Sequence, residues 1–179
     1  MKDILGEKGT CNMQQSEPLF PACIDRAGYE AMRPKVNVWP LAMQIICQRH
    51  GLPLEGLVRF GDGTDPAFGT TIVFAVGERY VIKLYPPFER RLFEVERTIV
   101  EHVYGKLTIT TPQMYAQGTL EGWPYLVMSR LQGVYLSDIW DTLEQTNQRH
   151  IVTELAEVVA HLHALSTHNL PLLEDNWPI

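Results

Sequence analysis

The chain has 179 residues and a formal net charge of −6 at pH 7, with 45% hydrophobic and 20% charged residues. These values are typical of a soluble globular protein and leave room for one ordinary domain or two small lobes. The negative charge, without any block of Lys and Arg, argues against a nucleic-acid partner. No apolar stretch approaches the roughly 20 residues that span a bilayer, so no membrane partner is expected.

The cysteine content and the N-terminal sequence indicate the cellular compartment of the protein. Cys11, Cys23 and Cys47 are odd in number and share no C-x-x-C spacing, so neither a disulfide framework nor a zinc site is indicated. The first residues lack the apolar core of a signal peptide. We therefore expect a cytoplasmic protein with reduced thiols.

The first third of the chain contains few regular elements. Residues 1–37 show no hydrophobic periodicity and are interrupted by prolines, which predicts a loosely ordered leader. A short helix is predicted over Pro40–His50, because Pro suits a first turn and Gly51 supplies a stop. A first strand is predicted over Leu57–Phe60.

A glycine-rich segment, residues 61–71, then leads into a predicted β-hairpin. Its strands are Ile72–Val76 and Tyr80–Tyr85, flanking the turn Gly77-Glu78-Arg79. Lys83 lies in the second strand and points to the same side as Tyr85. Two interpretations are open: an edge-strand lysine that blocks aggregation, or a lysine that holds phosphate beneath a covering loop.

A strongly patterned helix is predicted from about Phe88 to Lys106. Its apolar stripe consists of Leu92, Ile99, Val103 and Leu107. Glu96 falls inside this stripe, where an acid is costly unless it finds a cation. Lys83 is the nearest candidate partner; the alternative is that Glu96 sits at the margin of the stripe and reaches water.

Two more strands and then only helices complete the pattern. The strands are predicted over Met114–Gln117 and Tyr125–Leu131, joined by a turn over residues 118–124. After a break at Gly133, amphipathic helices are predicted over residues 136–143 and 148–165. An antiparallel sheet with one packed helix, followed by a helical region, is an α+β arrangement in two parts.

These features occur together, in this order, in a known family. The glycine-rich loop, the VIK strand, the inward helical acid, the segment YLVMSRLQG and the helix ELAEVVAHLHAL resemble the aminoglycoside phosphotransferase and choline kinase-like family, over roughly residues 41–165. The resemblance implies a protein-kinase-like fold. Residues 38–131 would form the N-terminal lobe with its hinge, and residues 132–179 would begin a truncated helical C-terminal lobe.

The resemblance also implies an ATP site. Glycines would cover the nucleotide phosphates, a lysine paired with an acid would hold the α- and β-phosphates, and hinge backbone groups would bind adenine. The residues assigned to nucleotide binding are Gly61, Gly63, Gly69, Lys83, Glu96, Met128, Ser129 and Leu131. The implied partners are a nucleotide and a small-molecule hydroxyl acceptor, with Mg²⁺ expected only with a further C-terminal part.

The sequence departs from the family pattern in two places. Thr70, Thr71 and Ile72 stand where the family usually has an Asn near the end of the loop. The catalytic H-x-D-x-x-x-x-N loop and the later metal-binding Asp are missing, and the nearest imitation, His168–Asn176, places Leu170 at the Asp position. No catalytic residue and no metal ligand are therefore assigned.

The expected function is that of the nucleotide-binding portion of an ATP-dependent phosphotransferase. A complete family member would transfer the γ-phosphate to a hydroxyl of a small molecule. Two alternatives remain open: a non-catalytic kinase-like binding or regulatory module, and a truncated gene product.

Overall fold

A computed structural model gives the fold and describes residues 18–20, 25–33, 37–60, 71–168 and 170. The strands are β1 Leu57–Arg59, β2 Ile72–Val76, β3 Tyr80–Leu84, β4 Met114–Leu120 and β5 Trp123–Ser129. The α-helices are α1 Arg26–Met32, α2 Val38–His50, α3 Arg90–Val103, α4 Leu136–Ile139 and α5 Gln145–Ala164. Short 3-10 turns cover Pro87–Glu89 and Trp140–Thr142. All five strands join one antiparallel sheet, in the order β1-β2-β3-β5-β4.

The strand that carries Lys83 lies in the middle of this sheet. Lys83 is opposite Val73 of β2 on one side and opposite Leu126 of β5 on the other. A strand with neighbours on both sides has no free edge to protect. The edge-strand interpretation of Lys83 is therefore wrong.

The two faces of the sheet pack against different helices. One face meets α2 in a core that includes Trp39, Met43, Ile46, Ile82, Leu84 and Val127. The other face meets α3 in a smaller core of Tyr85, Phe93, Val100, Leu126 and Met128. Because side chains alternate along a strand, this division places Lys83 on the α3 side.

Helix α3 buries a somewhat different stripe from the predicted one. Phe93 and Val100 pack into the core below it, whereas Ile99 is 37% exposed. Glu96 follows Phe93 by three residues and precedes Val100 by four, so it lies on the same face as both. The predicted inward orientation of Glu96 is thus found, although the centre of the stripe is rotated away from Ile99.

The leader expected over residues 1–37 contains an ordered part. Helix α1 begins after Asp25, whose carboxylate accepts a hydrogen bond of 2.8 Å from the Gly28 N–H. Tyr29 of α1 and Phe20 are buried, and both contact the ring of Trp123 in β5. A helix of seven residues has too few positions to show a period, which is why the sequence did not reveal it.

The turn between β4 and β5 is much tighter than predicted. Instead of spanning residues 118–124, it consists of Glu121 and Gly122, with φ of 47° and 85°. Two successive residues with positive φ are typical of tight hairpin turns, and their twist matches that of the strands. Both strands therefore extend into the segment that was expected to be a loop.

The helices after β5 contribute little to either core. Helix α4 is only four residues long, and no residue of α5 is buried. Several apolar side chains of α5 are exposed, namely Val152, Leu155, Val159 and Leu162. None of the helices in the described part of the chain combines the length and apolar character that crossing a bilayer requires.

A substitution at Gly118 can test the packing of the sheet face that meets α2. Gly118 lies opposite Tyr125, and a Cβ added to it would be 2.7 Å from Tyr125 Cζ. Tyr125 has little freedom to yield, because it is fully buried and its hydroxyl is 2.9 Å from Nε2 of His50. Gly118→Ala should lower the free energy of unfolding, measured by urea denaturation, by about 1–3 kcal/mol.

Gly133→Ala is the matched control, because a Cβ there would meet no atom within 4 Å. It should leave stability within about 0.5 kcal/mol of wild type. Equal unfolding midpoints for the two variants would contradict the packing described for Gly118.

Candidate functional site

An ion pair between the central strand and α3 is the centre of the candidate site. Nζ of Lys83 lies 2.7 Å from Oε1 and 2.6 Å from Oε2 of Glu96. The side chains are 23% and 25% exposed, respectively. The partner that Glu96 was expected to need is therefore present, and the side chains of the pair are not fully sealed from solvent.

The geometry of this ion pair fixes the orientation of the Lys83 side chain and still allows its ammonium to bind an anion. Hydrogen bonds between ionised groups are shorter and stronger than neutral ones, so Glu96 restricts Lys83 to one orientation. The ammonium is a compact cation with three donors, and an anion can share it with the carboxylate. The arrangement can hold a phosphate or another small anion.

Tyr85 is a third member of the site. It directly follows β3 and is fully buried, and its ring centroid is 5.6 Å from Nζ of Lys83. Burial, then the negative charge of Glu96, and then a side-chain hydrogen bond to Glu96 raise the pKa of Tyr85 far above its ordinary value. The phenol is therefore neutral beside the ion pair and keeps its proton available for donation.

The end of β5 carries the predicted hinge residues. Met128 is 6% exposed and belongs to the same core cluster as Tyr85. The N–H of Ser129 donates to the carbonyl of Gln113 at 2.9 Å, and its hydroxyl accepts from the Gln113 N–H at 2.8 Å. The Ser129 N–H cannot bind a base unless its bond to Gln113 breaks.

A cleft of about 530 Å³ lies directly after β5. The residues that line it are Phe60, Arg130, Leu131, Gln132, Gly133, Val134, Tyr135 and Asp138. Leu131 is 47% exposed there. The predicted hinge residue Leu131 thus borders an open cavity, whereas Ser129 is tied into the sheet.

Arg130 holds the wall of this cleft in place. Its guanidinium lies 5.8 Å from the ring centroid of Phe60 and donates to the carbonyl of Gly77 at 2.8 Å. A longer ion pair of 3.7 Å joins it to Glu78. Neither Phe60 nor Arg130 was singled out from the sequence, since their contact depends on the order of strands in the sheet.

The structure brings together some of the predicted site residues. Lys83, Glu96 and Met128 lie on the α3 side of the sheet, and Leu131 lies in the cleft beyond it. Gly61, Gly63 and Gly69 lie outside the described residues. The glycine-rich loop and its phosphate contacts therefore stay a prediction.

The fold is that of a kinase-like phosphotransferase. A mutant of the aminoglycoside 2'-phosphotransferase-IIIa, solved as its GDP complex, matches with a TM-score of 0.57 at 19% identity. The match covers 71% of this chain and 41% of that one, so the chain spans less than half the length of the solved structure. At this identity the likeness shows the fold alone, and the predicted α+β class is confirmed.

The family follows from the sequence itself. The model of the phosphotransferase enzyme family matches residues 69–177, which is more than half of the chain. The chain belongs to this family, and the resemblance drawn from its motifs is confirmed. A search of curated proteins finds no sequence match.

A double-mutant cycle on Lys83→Met and Glu96→Gln should measure the coupling within the ion pair. Because both groups are three-quarters buried and share two short hydrogen bonds, we expect a coupling energy of about 1–2 kcal/mol in urea denaturation.

The control cycle uses Arg97→Met and Glu101→Gln, a pair 3.6 Å apart in which Glu101 is 46% exposed. Its coupling should be about 0.3–0.5 kcal/mol. A coupling for Lys83 and Glu96 no larger than that of the control would contradict the geometry described above.

Proposed function

We propose that this chain binds ATP and forms the nucleotide-binding portion of a phosphotransferase that acts on a hydroxyl group of a small molecule. Family membership supports the reaction class. The observation that carries the proposal is the short ion pair between Lys83 on an interior strand and Glu96 on α3. In this proposal Lys83 contacts the α- and β-phosphates, and Glu96 orients it.

The free-energy cost of removing two charges from water favours a ligand-binding role for the Lys83–Glu96 pair over a purely structural one. An ion pair that is largely removed from water is often no more stabilising than well-packed apolar residues of the same size. Lys83 lies between Val81 and Tyr85 on its face of the strand, where an apolar residue would pack readily. The charge is better explained by an anionic ligand that shares the partly exposed lysine with Glu96.

The cleft beyond β5 has the size for the nucleoside. Small-molecule sites usually have volumes of roughly 300–1,000 Å³, and this one is about 530 Å³. In the proposal, adenine lies in this cleft against Leu131, whose backbone supplies hydrogen bonds to the base edge. Met128 lies at the inner end of the hinge, and Ser129 contributes less than the sequence suggests because its N–H already binds Gln113.

ATP fits the groups that the chain offers. A cationic Nζ held by a carboxylate suits phosphate, and the cleft after β5 is lined by both apolar and polar residues. When bound, ATP would supply the phosphoryl group, and Mg²⁺ would neutralise charge on its phosphates. The residues of this chain would bind and orient the nucleotide; a cytoplasmic location would provide it.

Lys83→Met should weaken ATP binding more than tenfold in isothermal titration with Mg²⁺, because the substitution removes a charged contact to phosphate. The control is Lys106→Met, which removes an exposed lysine in the loop after α3 and should leave the affinity unchanged. Equal affinities for the two variants would refute the phosphate site at Lys83.

A further inference from the structure

The position of Tyr85 beside the ion pair is fixed by its surroundings. Its backbone N–H donates to the carbonyl of Pro124 at 2.9 Å. Its ring packs edge-on against Phe93 of α3, with centroids 5.4 Å apart and planes at 74°. Because both the backbone and the ring are held, the hydroxyl has a defined location under α3.

The hydroxyl of Tyr85 is not explained by packing. It is buried, and it has no hydrogen bond of good geometry to any residue that the structure describes. A phenylalanine would fill the same space without leaving a polar atom unsatisfied. The hydroxyl nevertheless lies close enough to Glu96 for the charge and the hydrogen bonding of that carboxylate to raise the pKa of the phenol. The contact between the two groups is therefore present but poorly aligned.

We infer that Tyr85 is a positioning residue for the Lys83–Glu96 pair, and that its hydroxyl donates a hydrogen bond to Glu96 when Lys83 turns towards the phosphates of a bound nucleotide. The inference deepens the proposed function and rests on it. A carboxylate has about four acceptor positions, so Glu96 can receive a donor from Tyr85 in addition to Lys83.

The exchange of partners would ease the binding of an anion. In the observed state both oxygens of Glu96 bind Lys83, and its side chain is only 25% exposed. When Lys83 is shared with phosphate, the carboxylate of Glu96 loses one of its hydrogen bonds from the ammonium. A buried carboxylate that lacks a hydrogen-bond donor is costly in free energy. The hydroxyl of Tyr85 then donates to the carboxylate oxygen that Lys83 no longer binds, while the other oxygen keeps its bond to Lys83. Lys83 can therefore be shared with the ligand at a lower cost.

Tyr85→Phe and Tyr125→Phe form a matched pair of variants. Each removes one hydroxyl from a fully buried tyrosine, but the hydroxyl of Tyr125 lies on the opposite face of the sheet, beside Arg49 and His50. Tyr85→Phe should weaken ATP binding by about three- to tenfold. Tyr125→Phe should leave ATP affinity unchanged although it lowers thermal stability more. Equal affinities in the two variants would overturn the inference.

A second experiment needs no nucleotide. Lys83→Met removes the lysine from Glu96, so the Tyr85 hydroxyl should then donate to the carboxylate. In protein labelled with ¹³C at tyrosine Cζ, the Tyr85 signal should move in Lys83→Met and return in the double variant Lys83→Met, Glu96→Gln. A Glu94→Gln substitution in place of Glu96→Gln is the control and should not restore the signal, because Glu94 binds Arg97 instead.

The two experiments separate the inference from the proposed function. A Tyr85 signal that does not respond to Lys83→Met, in a protein that binds ATP, would overturn the inference and leave the proposed function standing. A signal that responds as expected in a protein that does not bind ATP would overturn the proposed function and support the hydrogen bond between Tyr85 and Glu96.

Discussion

One electrostatic constraint determines the arrangement of the site: a largely buried lysine in the middle of a five-stranded sheet needs a carboxylate within reach to compensate its charge. Glu96 meets this need at 2.6 Å, and it does so because Phe93 and Val100 hold α3 against β5. The same packing buries Tyr85 beside the pair. The position of the helix on the sheet, rather than any single side chain, therefore determines whether Lys83 is oriented for a ligand.

The sequence predicts those parts of the fold that follow from local periodicity. The alternation in β3 correctly places Lys83 and Tyr85 on one face, and the helical period correctly turns Glu96 inward. Strand order is not local, so the sequence alone left an edge-strand role for Lys83 open. The tight turn at Glu121 was missed because a positive φ at a glutamate has no clear sequence signal.

The candidate site likewise has features that the sequence predicts and features that only the tertiary structure shows. Lys83 and Glu96 could be paired from the sequence, since an inward acid and a cation on a neighbouring element need each other. The contact of Arg130 with Phe60, and the engagement of the Ser129 N–H by Gln113, depend on which strands lie side by side. The alternation of side chains already placed Tyr85 on the same face as Lys83. Its hydroxyl without a well-aligned hydrogen bond can be recognised only once the position of α3 is known.

A crystal structure of this chain with a non-hydrolysable ATP analogue and Mg²⁺ would show directly whether Lys83 and Glu96 bind the nucleotide. We expect phosphate oxygens within hydrogen-bond distance of Nζ of Lys83, Glu96 still in contact with that nitrogen, and the base in the cleft beside Leu131. A nucleotide bound elsewhere on the chain, with no contact to Lys83 or Glu96, would show that the ion pair is not a phosphate site.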